Sequence, residues 1–242
     1  MQILTGTSLT PRIVAGPLRF YCRPTLSVQQ RSTRSADEEI LRFQQVQRQA
    51  VLELATLYDK AYTQVGHEAA SIFAIHAMLI EDDDLLDGIH RKITDDAATA
   101  EWAIYSVCHE FSDLFSAMDD PYMRARATDM QDIARHLALP LLGIQRTFPG
   151  ASEAIVVCDH FLPSEVMHMD ERLLGLVSQK GSLDSHTAVL LKAYHIPVIV
   201  GTEFGPEWDG HRALIDGFAG NLYLDPDNGT EAALRLRYQP KH

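Results

Sequence analysis

The hydrophobic period of the chain changes twice. Over residues 1–30, β-branched residues, glycine and proline cluster (Thr5, Gly6, Thr7, Ile13, Val14, Ala15, Gly16, Pro17). This mixture predicts one or two short strands broken by turns. Residues 24–35 are polar and aperiodic and read as a connection. At Ser35 the period becomes helical. Ser35 and Glu38 have the spacing of a capping box, in which each side chain satisfies an orphan backbone N–H of the first turn. Phe43, Val46, Ala50, Leu54, Leu57 and Ala61 then recur every three or four residues, the signature of a long amphipathic helix. Gly66 is its expected stop. A second helix carries Ile72, Phe73, His76, Leu79 and Ile80. A third and shorter one, with Leu85, Leu86, Ile89 and Ile93, follows the acidic run Glu81–Asp84. Acidic residues there complement the positive end of that helix. Thr99 is placed to cap a fourth, whose apolar face holds Ile104, Val107, Cys108, Phe111, Leu114, Phe115 and Met118. Asp119-Asp120-Pro121 restarts a fifth, an acidic N-cap followed by proline at the first helical position. Its end is expected at Pro140 and Gly143. Residues 35–143 therefore read as a helical bundle.

From about residue 150 the pattern reverts. Ala154–Cys158, Leu173–Ser178 and Pro197–Gly201 are short apolar runs of strand type, and 185–195 between the last two reads as a helix. Arg212–Asp216 and Asn221–Leu224 look like a hairpin. Residues 225–242 read as a linker and the start of a helix that stops abruptly, as at a truncation. Strands alternating with helix predict an α/β unit with a mixed sheet. The opening strands are expected to join that sheet, which makes the helical bundle an insertion into an α/β domain.

Composition narrows the setting. At 242 residues the chain suits one large domain or two ordinary ones. Apolar content of 46% and charged content of 22% are those of a globular protein. No apolar run approaches the ~20 residues of a membrane span, and the first residues lack a basic segment followed by an apolar core. Cys22, Cys108 and Cys158 are widely spaced and odd in number, which predicts reduced thiols and a cytoplasmic location rather than a disulfide framework. The net charge of −12 is uneven: residues 31–147 hold 11 Lys and Arg against 20 Asp and Glu. So acidic a segment argues against nucleic acid as a partner. It suits a basic protein partner, and it equally suits a solvated helical surface.

The strongest chemical signal lies in Gly181–Lys192. An apolar run (Leu173, Leu174, Leu176, Val177) leads into a turn of small residues, then Ser185-His186-Thr187 and an apolar segment. This puts His186 in the first turn of a helix at the carboxyl end of a strand. Helix starts carry unpaired N–H groups and partial positive charge. Such a place suits a neutral imidazole that becomes phosphorylated better than an imidazolium. Ser185 and Thr187 add hydroxyls, and a surface histidine that merely starts a helix is the plain alternative. Asp184 is positioned to cap the helix through its carboxylate, where it also stands close to an incoming phosphate. His160 and His168, with Asp159, fit no common zinc spacing. Glu81–Asp84 reads as a solvated helix start before it reads as a cation site.

The segment resembles the phosphohistidine signature of phosphoenolpyruvate-utilising enzymes through Gly181, Ser185, His186, Thr187, Ala188, Val189 and Leu190. Ile196–Thr202 is similar to the strand that follows it in that family. Within those enzymes the chain resembles Enzyme I of the bacterial phosphotransferase system. Ser71–Leu85 (SIFAIHAMLIEDDDL) and Asp119–Leu137 (DDPYMRARATDMQDIARHL) are similar to two of its helices, and Leu162–Glu165 and Asn221–Pro226 to two further stretches. The resemblance runs in order over essentially the whole chain.

It implies an α/β swivelling phosphohistidine domain (1–30 and 148–242) with an inserted all-α helical bundle (31–147) that binds HPr, a small phosphocarrier, along Ile72–Leu86 and Tyr122–Asp132. It implies that His186 is catalytic, receiving phosphate from phosphoenolpyruvate and passing it to HPr, with Gly181, Ser185 and Thr187 supporting the phosphate site and His76 structural. No cofactor is expected in this chain. Phosphoenolpyruvate and magnesium belong, by the same resemblance, to a carboxyl-terminal barrel outside it. So does dimerisation, which leaves a monomer. The chain departs from the family pattern at Ser182, Asp184 and Lys192, at Val166 where threonine is usual, and at Ala69 where lysine is frequent. Those departures motivate a second reading, a catalytically weakened paralogue that docks a carrier as a regulatory module. A third is the swivelling domain of a dikinase or phosphoenolpyruvate synthase, against which the helical insertion ahead of the signature speaks.

Overall fold

The computed structural model describes residues 1–145, 153–181, 183 and 185–238. They form two units. One comprises Pro24–Arg146 and Leu162–Met167, the other Met1–Arg23, Thr147–Phe161 and His168–His242.

The first unit is all helical. Helix α1 spans Ala36–Val65, and Ser35 and Glu38 form the capping box that the sequence predicts. Its buried stripe is Phe43, Val46, Ala50, Leu54, Leu57 and Ala61, at helical spacing. Gly66, at φ +90°, ends α1 and opens α2 (His67–Ile80). The turn needs that backbone conformation, which glycine adopts at no steric cost. Asp82 caps α3 (Asp83–Asp95) by accepting from the Asp84 and Leu85 amides. The acidic run is thus a helix start. Thr99 caps α4 (Ala100–Ser116) through the Trp102 amide. Asp120 caps α5 (Pro121–Leu141), with Pro121 at its first position. One expectation is corrected here: Pro140 lies inside α5 and does not end it. A proline removes one i→i−4 bond, and so near the end of the helix the loss is confined to the last turn. Termination falls to Gly143 at φ +66°, where the Ile144 amide reaches the Leu139 carbonyl at 3.0 Å. A short helix α6 (Pro163–Val166), absent from the sequence reading, completes the unit.

The second unit is built on an eight-stranded sheet. Its strands are β1 (Gln2–Thr5), β2 (Thr7–Ser8), β3 (Ile13–Phe20), β4 (Ile155–Cys158), β5 (Gly175–Ser178), β6 (Val198–Val200), β7 (Arg212–Asp216) and β8 (Asn221–Leu224), in the order β1-β8-β7-β3-β4-β5-β6-β2. Helices α7 (His186–Ala193) and α8 (Asn228–Arg237) belong to it. The first thirty residues supply three strands rather than one or two. β1 and β2, separated by Gly6 alone, pair with opposite edges of the sheet, on β8 and β6. A Cβ on Gly6 would stand 2.6 Å from the Val200 carbonyl oxygen, so the crossing needs glycine there. The sheet is mixed: β3, β4, β5 and β6 run parallel, and β7, β8 and the two edges antiparallel. Every residue of β4, β5 and β6 is buried, as expected of parallel strands covered on both faces. Leu18, Ile155, Val157, Val177, Ile199, Ala213, Ile215, Leu222 and Leu224 make one apolar core. The chain leaves β3 for α1–α5 and comes back at β4, parallel to β3 and beside it. No helix among the described residues is long and apolar enough to cross a membrane.

Candidate functional site

The turn after β5 is fixed from below. The Ser178 hydroxyl donates to the Lys180 carbonyl at 2.8 Å, and the Ser178 carbonyl accepts the Thr202 amide at 3.1 Å. The Gln179 and Lys180 amides donate to the carbonyls of Cys158 and Asp159 at 3.2 and 2.7 Å. The start of the loop therefore continues the β4–β5 ladder past the end of the strands. Gly181 follows at φ +141°, a backbone conformation that side-chain-bearing residues rarely adopt, and a Cβ there would meet Val200 Cγ1 at 3.3 Å. The loop next to His186 thus has a glycine for a backbone reason.

His186 is the first residue of α7 and is partly buried. The N-cap is Ser185, in extended conformation, with its Oγ accepting from the Ala188 amide at 3.1 Å and its carbonyl from the Val189 amide at 3.1 Å. The cap expected of the Asp184 carboxylate is therefore made by Ser185, the residue directly before the helix. Ser182 and Asp184 lie outside the described residues. Thr187 is buried and its hydroxyl donates to the Phe161 carbonyl at 3.3 Å. It anchors the first turn of α7 to the end of the β4 segment, and this use of its hydroxyl differs from the phosphate-facing one expected. From the far end of α7, Lys192 Nζ reaches back to the Leu183 carbonyl at 3.0 Å. This tie across the loop is not visible in the sequence.

The other predicted residues fall in the helical unit. Val166 and Ala69 are buried there, apolar side chains with no donor to offer. His76 is fully buried. Its Nε2 lies 3.4 Å from Asp129 Oδ1 and its Nδ1 3.9 Å from Asp132 Oδ2. Asp132 in turn accepts from the amide of Ser164 at 2.9 Å and from its hydroxyl at 2.5 Å. His76 thus lies beside two buried carboxylates, with neither ring nitrogen in a hydrogen bond among the described residues. The link from α5 to α6 through Asp132 and Ser164 bridges 32 residues of sequence and carries no local signal.

Fold and local geometry together define an α/β unit that displays a histidine at a helix start, interrupted in sequence by a helical unit. Comparison with known proteins gives this class its family. Residues 5–126 match the N-terminal model of the PEP-utilising enzymes, and residues 150–220 match the model of their mobile domain. The chain belongs to the PEP-utilising enzyme family. Its relatives include the phosphoenolpyruvate-protein phosphotransferases of Bacillus subtilis (strain 168), 28% identical over 100% of this chain and 43% of the relative, and of Staphylococcus carnosus (strain TM300), 29% identical over 98% of this chain and 42% of the relative. The chain thus spans about two fifths of the length of these curated relatives. A solution NMR structure of Enzyme I superposes over 97% of both chains with a TM-score of 0.72 and 25% identity. The N-terminal domain of the nitrogen Enzyme 1 shares the fold, with a TM-score of 0.62 at 24% identity.

Proposed function

We propose that this chain is the phosphohistidine-bearing, amino-terminal part of a phosphoenolpyruvate-protein phosphotransferase, and that His186 is its phosphoryl carrier. The observation that carries the reading is the position of His186 as the first residue of α7, at the end of a loop that leaves a parallel strand, within the stretch similar to the family's mobile domain. In this reading the α/β unit is a swivelling domain and the helical unit docks a carrier of the HPr type. Met78 on α2 and Tyr122 on α5 are large apolar side chains exposed on the helices concerned, and they support such a face. The phosphoenolpyruvate and magnesium chemistry belongs to the remainder of the protein.

The chemistry asked of this chain is small. The lone pair of a neutral His186 ring nitrogen attacks the phosphorus of the carrier's phosphohistidine. A new N–P bond forms as the carrier's N–P bond breaks, and the carrier's ring nitrogen leaves with that electron pair; the reverse step recharges the carrier. Such transfers depend on alignment and on charge stabilisation more than on covalent assistance. Ser185 fixes the first turn, the Thr187 anchor fixes its depth, and the positive end of α7 faces the phosphoryl oxygens.

The test is to mix the chain with a phosphorylated HPr-type carrier. Acid-labile phosphate should appear on His186, and none should appear in His186→Ala. Absence of transfer to the unaltered chain, with a carrier that serves one of the relatives named above, overturns the proposal.

A further inference from the structure

Small molecules bind open α/β sheets in the crevice outside the carboxyl ends of the parallel strands. Here the segments leaving β3, β4, β5 and β6 at that edge line one cavity of about 480 Å³, a volume typical of small-ligand sites. Its apolar wall holds Phe20 and Phe204, in edge-to-face contact with ring centroids 5.4 Å apart, together with Pro206. Gln179 Nε2 donates to the Phe204 carbonyl at 3.1 Å and joins the segments after β5 and β6 into one side of the cavity.

The opposite side carries two charges, and they are not equally available. The Arg23 guanidinium donates to Asp159 Oδ1 at 2.7 Å and to the His160 carbonyl, and it packs over the Tyr21 ring. Its side chain is only 13% exposed, while that of Asp159 is 49% exposed. His160 Nδ1 lies 2.8 Å from Asp159 Oδ2. A carboxylate has about four acceptor positions, so these two contacts leave Asp159 able to accept more. Burial opposes ionisation of Asp159, but the hydrogen bond from His160 and the charge of Arg23 outweigh it and hold the carboxyl well below its usual range. An entering molecule thus meets aromatic walls and one ionised, half-exposed acceptor, with the nearby cation already engaged.

We propose that this cavity is a binding site for a small aromatic amine, its ring packed against Phe20 and Phe204 and its ammonium group on Asp159. The inference does not rest on the phosphoryl relay. The complementary ligand brings a donor and a positive charge, and the same ring on a carboxylic acid is rejected because it meets Asp159 with like charge.

The probe is tryptamine, titrated into the full chain and followed by amide chemical shifts, with indole-3-propionate as the acid of similar shape. Tryptamine is expected to bind with a Kd on the order of 1 mM, with shifts centred on Phe20–Arg23, Asp159, His160, Gln179 and Phe204. Asp159→Asn should weaken it about tenfold. Because that substitution also removes the partner of Arg23, Phe204→Ala serves as a second variant that leaves the ion pair intact, and it too should weaken binding. The proposal is overturned if tryptamine causes no shifts at these residues, if the acid binds as well as the amine, or if folded Asp159→Asn and Phe204→Ala both keep the affinity of the unaltered chain.

Discussion

Replacing Glu39 by glutamine should weaken the helical unit far more than a change of one atom suggests. Glu39 is buried in the first turn of α1. Its Oε1 accepts from the Ser32 hydroxyl at 2.5 Å and faces Arg34 at 3.5 Å. Its Oε2 accepts from Arg42 at 2.5 Å and from the Ala100 amide, at the start of α4, at 3.0 Å. One carboxylate therefore joins the connection before α1, α1 itself and the first residue of α4. Every group around it donates to it, and only the Ser32 hydroxyl is also able to accept. The glutamine NH₂ must therefore turn toward Ser32, whose hydroxyl gives up its acceptor and has to rotate, at a cost of about 1–3 kcal/mol. The contacts that remain lose their charge assistance, roughly 1 kcal/mol more. A total of about 3 kcal/mol should lower the melting temperature of a unit this size by about 10 °C.

The effect of pH has a definite sign. Burial raises the Glu39 carboxyl, but the hydrogen bonds from Ser32, the Ala100 amide and Arg42 prevail, and it stands below its ordinary value of 4.5. A group depressed on folding contributes stability that is fully present above its unfolded value and is lost as pH falls through its folded value. The gap between the parent and Glu39→Gln should therefore be full at neutral pH and narrow below about pH 4. Helix melting monitored by circular dichroism at several pH values is the assay. A loss of less than about 3 °C at neutral pH, or a gap of constant size down to about pH 3, would refute the reasoning.

Ser185→Ala removes the acceptor for the Ala188 amide. It should cost about 1 kcal/mol in denaturant unfolding and slow labelling at His186, and Ser185→Gly should cost only a few tenths in the same measurement. Among the three cysteines, Cys22 is exposed while Cys108 and Cys158 are buried. Burial pushes the Cys108 thiol up to about 12. A thiol reagent should therefore modify Cys22 quickly in the folded chain and the other two only after denaturation; rapid modification of Cys108 would contradict the packing.

Local grammar made much of the site legible. A strand, a turn of small residues and a helix start placed His186 correctly because each of those signals lies within a few residues of it. The sequence pattern pointed to Asp184 as the side-chain cap of α7, one residue before the cap in the structure. Asp184 and Ser185 are both good N-caps, and the position of the first helical turn assigns the role to Ser185. The tie from Thr187 to Phe161, the tie from Lys192 to Leu183 and the pairing of Asp132 with Ser164 were out of reach. Each joins residues 9 to 32 positions apart, and no periodicity encodes such a pair.

The same division holds for the whole molecule. The sequence alone determined the periods and the caps: helical spacing from Phe43 to Ala61, the Ser35–Glu38 box, the Asp120–Pro121 restart, and short apolar strands after residue 150. These are short-range effects, set by backbone sterics and by orphan N–H groups. Tertiary structure decided which apolar residues are core and which are surface. Ile72, Phe73 and Ile80 are buried on α2 while Met78 on the same helix is exposed, because burial depends on what packs opposite. It also sent β1 and β2 to opposite edges of one sheet, and it gathered the ends of four strands, from Phe20 to Phe204, around a single cavity. Both depend on contacts between residues far apart in the chain, whose order in space is chosen only when the sheet closes on its common core.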